Sequence, residues 1–182
     1  MTRTVGTHAF VLTLLFTLPT LADSHVPDPH IRTTCAALRE ALARGSRVSP
    51  TLRAIIDRLE ASDVVVYLVS QRSEMAGIAA HVSFVSAAGG RRYLRIVFDP
   101  KYGGCQLLGL LGHELRHALE IAEEPSVVDA RSLAILYRRI GFSRDGMDRF
   151  DSTDAIEAGR RVMRDALSPV AERALVLHPP AR

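Results

Sequence analysis

The sequence predicts an α+β domain: a small twisted β-sheet with helices before it, then a long apolar helix and further helices after it. Three observations predict this. Asp63 to Ser70 (DVVVYLVS) is a β-branched run of the kind that fits a pleated, half-buried surface. Gly77 to Val85 and Arg92 to Phe98 (RYLRIVF) flank Ala87-Ala88-Gly89-Gly90, which reads as a hairpin turn between two strands. On both sides of this block, apolar residues recur at helical spacing instead.

The chain begins with an export pattern. Arg3 supplies a positive start, Ala9 to Leu18 (AFVLTLLFTL) is a short apolar run, and Thr20-Leu21-Ala22 offers a small-x-small cleavage site. The run is too short to cross a bilayer. Residues 1–22 are therefore expected to be a signal peptide, and the mature chain an exported, periplasmic or secreted protein without stable membrane association. Residues 23–30 carry Pro27 and Pro29 and read as a flexible leader. A single domain is expected over 31–168, and a C-terminal tail over 169–182.

Within the domain, Ile31 to Arg44 reads as a helix with Cys35, Leu38 and Leu42 on one stripe, ended by Gly45. Ser49-Pro50 opens a second helix through Glu60, with Ser49 as cap and Pro50 in the first turn. The three strands follow. Asp99-Pro100 stops the last strand, and Gly103-Gly104 leads into an apolar helix that Pro125 breaks. Ser126 is expected to cap the next helix, to Arg139 and Gly141, and a last helix covers Ser152 to Leu167.

The net charge of +3 falls to +2 without Arg3, too mild a balance to imply nucleic-acid binding. Export places Cys35 and Cys105 where they are able to pair. The disulfide would tie the start of the apolar helix to the N-terminal helix and add roughly 2–4 kcal/mol. The alternative is two buried free thiols.

The chemistry concentrates in His113-Glu114-Leu115-Arg116-His117, an H-E-x-x-H sequence on the apolar helix. Residues four apart lie one above the other on a helix, so His113 and His117 are placed to grip one metal ion. Glu114 stands next to the first ligand, where a carboxylate serves as general base. Two neutral nitrogen ligands plus a base suit Zn²⁺-dependent hydrolysis of a peptide bond.

The motif, with the order sheet, motif helix, C-terminal helices from Asp63 to Gly141, resembles the zincins, the zinc metallopeptidases that carry HExxH, in a small exported bacterial type. Ala118-Leu119-Glu120-Ile121-Ala122-Glu123 departs from the H-x-x-G-x-x-H continuation of the metzincin subgroup, and Arg116 stands where zincins usually carry an uncharged residue. The resemblance implies a zincin-like fold and a peptide or protein substrate. It also implies that Arg92 to Phe98, the strand before the motif helix, borders the cleft. The alternative is a non-catalytic zinc-binding or protein-interaction module on the same scaffold.

A catalytic zinc needs a third protein ligand. The candidates are Glu120, Glu123, Glu124 and Asp129, with Asp129 slightly ahead of Glu120. Asp129 is placed to fold back after the Pro125 break, or else to stabilise the first turn of its own helix. Glu120 lies seven residues after His113, about 10.5 Å along the axis, so holding an imidazole N–H is an equal role for it. Tyr137 is a candidate for steadying an oxyanion. His81 reads as an ordinary strand residue. Asp145, Asp148, Asp151 and Asp154 read as sparse carboxylates whose spacing matches no calcium loop.

Overall fold

A computed structural model describes residues 28–72, 77–143 and 150–168. The expected signal peptide, most of the leader, the tail after Ser168, and Asp145 and Asp148 lie outside the described residues. Among those that are described, the chain is α+β, with five helices and a mixed sheet of four strands in the order β1-β2-β4-β3. The sheet strands are β1 (Ile31–Arg32), β2 (Val64–Ser70), β3 (Ala80–Ala88) and β4 (Arg91–Phe98). The helices are α1 (Ala36–Val48), α2 (Pro50–Glu60), α3 (Gly104–Ala122), α4 (Ala130–Ile140) and α5 (Thr153–Leu167). A two-stranded ribbon of β5 (Phe142–Ser143) and β6 (Phe150–Asp151) joins α4 to α5.

The N-terminal expectations need correction. His30, expected in the leader, is buried: its backbone N–H donates to Glu60 Oε2 at 2.8 Å. Ile31 and Arg32 pair in parallel with Val66 and Tyr67, so the first helix starts at Ala36 instead of Ile31. Backbone pairing to an available sheet edge outcompetes helical propensity there. The helix also runs past Gly45 to Val48; Gly45 is buried there against Leu52, whose Cδ2 would lie 2.5 Å from a Cβ at that position. The second helix agrees with expectation, and Ser49 Oγ accepts from the N–H of Leu52.

The three expected strands form, the second at Ala80–Ala88 instead of Gly77 to Val85, but Arg92 to Phe98 is not the strand that borders the cleft. β4 lies between β2, with which it is parallel, and β3, with which it is antiparallel. The edge strand is therefore β3, and Arg92 to Phe98 is interior. The alternation on β4 explains this: Leu94 and Ile96 are fully buried, and interior strands are the ones covered on both edges. Gly89 and Gly90, at φ +59° and +74°, make the left-handed turn between β3 and β4.

Helix α3 runs through the middle of the molecule. Leu108, Leu111, Leu115 and Ile121 are at most 1% exposed and pack with Leu52, Leu59, Leu94 and Ile96. Each such side chain contributes about 1.5–3 kcal/mol by leaving water. The C-terminal end of α3 is tied to the sheet by Arg92, whose side chain is 6% exposed. It makes a two-pronged pair with Asp63 at 2.7 Å and donates to the carbonyls of Ile121, Ala122, Glu124 and Val127. The carbonyls of Ile121 and Glu124 also accept the backbone N–H groups of Glu124 and Val127, so the guanidinium adds a second donor there and ties the end of α3 and the turn after it to the sheet.

Helix α5 lies antiparallel beside α3, in a contact made close by glycines. A Cβ on Gly112 would meet Val162 Cγ2 at 2.5 Å, and one on Gly159 would meet the Gly109 carbonyl oxygen at 2.9 Å. The two backbones approach closely only because these side chains are absent. Cys35 and Cys105 are free thiols, each partly buried against the core, so the expected disulfide is not formed. None of the helices is long and apolar enough to cross a membrane, among the described residues.

Candidate metal centre

The motif forms on α3 as its spacing requires, one turn separating the two histidines. His113 and His117 lie edge to face, ring centroids 4.8 Å apart. The third group beside them is Asp151. Its Oδ1 is 3.3 Å from His113 Nε2 and 3.5 Å from His117 Nε2. The candidate ligand atoms of all three residues lie within 4.8 Å of one another.

These separations fit a zinc ion. Four ligands at about 2.1 Å in a tetrahedron stand roughly 3.4 Å apart from one another. Both separations from Asp151 Oδ1 match that edge. Two imidazoles and one carboxylate are also a donor set that leaves a catalytic zinc one open position.

Asp151 arrives by the close packing of α3 and α5. The glycine contacts bring the start of α5 alongside the last turns of α3. Ser152 caps α5, its Oγ accepting from the N–H of Ala155 at 3.0 Å. The Ser152 backbone N–H donates to Asp151 Oδ1 at 2.9 Å, and the pairing of Phe142 with Asp151 anchors the preceding backbone. Nothing in the spacing of Asp151, 34 positions beyond His117, pointed to the motif. The legible signal was the run of small residues Ala155, Ala158 and Gly159 on the last helix, matching Gly109 and Gly112 on the motif helix. Two such faces predict a close crossing.

The other candidates are placed elsewhere. Asp129 is exposed and caps α4: its Oδ1 accepts from the Ser132 N–H at 2.7 Å, and Ser132 Oγ takes the Asp129 N–H in return. It is not in the cluster with the histidines, and it replaces Ser126 as the cap of that helix. A reciprocal box satisfies two free N–H groups at once, which a single serine does not. Glu123 pairs with Arg58 and Arg116, and Glu124 with Ser126 and Arg139.

Glu120 is buried one step behind the cluster. Its Oε2 is 2.9 Å from His117 Nδ1, and its Oε1 accepts from Ser152 Oγ at 2.6 Å. With Nδ1–H held there, Nε2 of His117 carries the lone pair toward Asp151 and the metal position. Ser152 thereby links the backbone that carries one ligand to the carboxylate that orients another. Arg116 points away from the cleft, pairing with Glu123 and Asp154 and standing 3.9 Å from Glu120. Its charge thus fastens α3 to α5 and balances the acids behind His117.

The titration of the cluster follows from burial and charge. Burial raises the Glu114 carboxyl to about 7; His117 opposes the shift and Asp151 adds to it. Burial by itself would lower His117, but hydrogen bonds to Asp151 and Glu120 outweigh it and raise the imidazole to about 9. A metal ion must displace that proton to use Nε2. Tyr137 is held well above its ordinary value by burial and then by Glu120 and Glu114. It stays a neutral phenol whose O–H lies 3.4 Å from the His117 carbonyl oxygen, with its ring edge-on to His117 at 5.2 Å. It braces the ligand.

The cluster opens into a cleft of about 1000 Å³. The edge strand β3 forms one wall through Ala80 and Val82, and α4 and α5 form the other through Leu133 and Ile156. His81 lies on β3 as expected, held below its ordinary value by burial and by Arg95. No protein-family model, no curated protein and no solved structure matches the chain.

Proposed function

We propose that the protein is an exported zinc-dependent metallopeptidase of zincin type, in which Glu114 is the general base. The observation that carries this reading is the convergence of His113, His117 and Asp151, with Asp151 Oδ1 at a tetrahedral separation from each imidazole, on a helix that also buries Glu114. His113 Nε2, His117 Nε2 and Asp151 Oδ1 would hold the ion. A zinc ion there supplies a Lewis acid that makes water a better nucleophile and polarises a carbonyl.

The chain's own groups do the rest. Glu114, buried and next in sequence to His113, would take a proton from attacking water and return it to the leaving amine. Glu120 keeps His117 in the ligating tautomer. The free edge of β3 along the cleft suits an extended peptide, since main-chain hydrogen bonds hold a strand independent of its side chains.

The test is metal content and hydrolysis on the same preparation. Purified protein is expected to bind one zinc, to cleave a peptide library, to lose activity to a chelator and to regain it with zinc. Glu114→Gln is expected to keep the zinc and lose activity by about 10²- to 10⁴-fold, the worth of a positioned general base. Zinc binding with no cleavage by the unaltered chain would leave only a metal-binding module. Full activity in Glu114→Gln would sink the mechanism.

A further inference from the structure

We propose that this cleft selects substrates bearing a carboxylate close to the scissile bond, received by Arg138 and Arg160. The proposal rests on the peptide-hydrolysis reading for its scissile bond, but the selection itself is a property of binding.

The two arginines stand on different helices of the helical wall of the cleft, Arg138 on α4 and Arg160 on α5, each one residue beyond a contact with a motif histidine. Tyr137 of α4 packs on His117, and Arg138 follows it in the cleft lining. Gly159 of α5 lies against His113, close enough that a Cβ there would stand 3.1 Å from His113 Cβ, and Arg160 follows it in the lining. The two positions thus share the cleft lining with the paired histidines, each next in sequence to a residue that touches one of them.

Their pairing state separates them from their neighbours. Each belongs to an Arg-Arg dipeptide. In both, the second arginine is neutralised: Arg139 by Glu124, and Arg161 by Glu157. The first of each pair has neither ion pair nor hydrogen bond among the described residues, and both are exposed. The carboxylates in the lining are Glu114 and Asp151. Glu114 is buried, and Asp151 is turned to the histidines. The charge left for a ligand among the described lining residues is therefore positive, on two planar forks suited to carboxylate. Leu110, Leu133, Ile156 and Met163 supply apolar lining between them. The complementary ligand is a peptide with an apolar side chain next to a carboxylate. An aspartyl or glutamyl side chain and a free C-terminus present the same group.

Binding is read without turnover, on the full chain with zinc loaded and Glu114 changed to Gln. The probes are fluorescein-labelled peptides of one length with a central leucine flanked by Glu, Gln or Arg, each with a free or amidated C-terminus. A free carboxylate is expected to tighten binding about three- to tenfold over the neutral peptide, the range for two exposed ion pairs, and to do so less in 0.5 M salt. Loss of the preference on amidation assigns it to the C-terminus, and its persistence assigns it to the side chain. Arg138→Gln with Arg160→Gln is expected to abolish the preference while zinc content and the affinity for the neutral peptide stay the same. Equal binding of the Glu, Gln and Arg peptides with no difference between their free and amidated forms, or a preference that survives the double substitution, overturns the proposal. Selective binding by a chain that cleaves nothing would retain the selection and remove the hydrolase reading.

Discussion

Replacing Asp151 with Asn removes one anionic oxygen and almost nothing else. Asn keeps an oxygen able to accept the Ser152 N–H that now holds Asp151 Oδ1 at 2.9 Å, so the turn into α5 is preserved. What is lost is the charge 3.3 Å from His113 Nε2 and 3.5 Å from His117 Nε2. Structural zinc sites bind with about 10–16 kcal/mol over four ligands, so one ligand is worth about 2.5–4 kcal/mol. At about 1.4 kcal/mol per factor of ten, Asp151→Asn weakens zinc about 10²- to 10³-fold. Competition with a zinc-binding dye reads this directly. Thermal unfolding gives a second readout. Zinc at a thousand times its dissociation constant stabilises by about 4.1 kcal/mol, or about 8–16 °C at this chain size. At the same concentration the variant is expected to lose more than half of that shift. Asp129→Asn is the control, because that carboxylate caps α4 and asparagine caps as well as aspartate. Wild-type zinc affinity in Asp151→Asn, or a hundredfold loss in Asp129→Asn, would refute the assignment.

Gly159→Ala places a methyl 2.9 Å from the Gly109 carbonyl oxygen and 3.1 Å from His113 Cβ. The helices must part, at a net cost of about 1–2 kcal/mol after the helix gain of alanine, with weakened zinc binding as well; an unchanged melting temperature would refute the close crossing. Arg92→Ala leaves Asp63 without its partner and removes the buried guanidinium donor from the carbonyls of Ile121, Ala122, Glu124 and Val127. It is expected to destabilise by about 3–5 kcal/mol in urea titration, and Arg92→Lys to recover only part, since an ammonium lacks the fork. Asp63 titrates below its ordinary 3.8, chiefly through its hydrogen bond to Arg92. A depressed pKa contributes stability that is fully present above 3.8 and lost as pH falls through the folded value. Between pH 5 and pH 2, Asp63→Asn should therefore flatten the fall of the urea midpoint; an unchanged slope would exclude the pair as an acid-sensitive element.

The carboxylates that follow the motif show how one sequence pattern serves two purposes. Glu120 and Asp129 both read as possible ligands because a carboxylate near HExxH is what zinc requires. In the fold, Glu120 lies too far along α3 to reach the metal position as Asp151 does, and bonds the back of His117 instead. Asp129 is engaged by its own helix start.

The sequence by itself determined the elements and the chemistry that depends on neighbours. β-branching made β2, the Gly-Gly turn made the β3–β4 hairpin, and the i, i+4 spacing of His113 and His117 placed two nitrogens on one face with Glu114 beside them. These are interactions within a few residues, and local geometry alone sets them. The tertiary structure alone decided which strand is the edge, where Ile31–Arg32 pairs, that Cys35 and Cys105 stay free thiols, and which carboxylate stands beside His113 and His117. Asp151 reaches His113 and His117 because Gly109, Gly112 and Gly159 let α3 and α5 touch. That juxtaposition depends on two surfaces matching across 34 positions of chain, which no spacing rule along the sequence encodes.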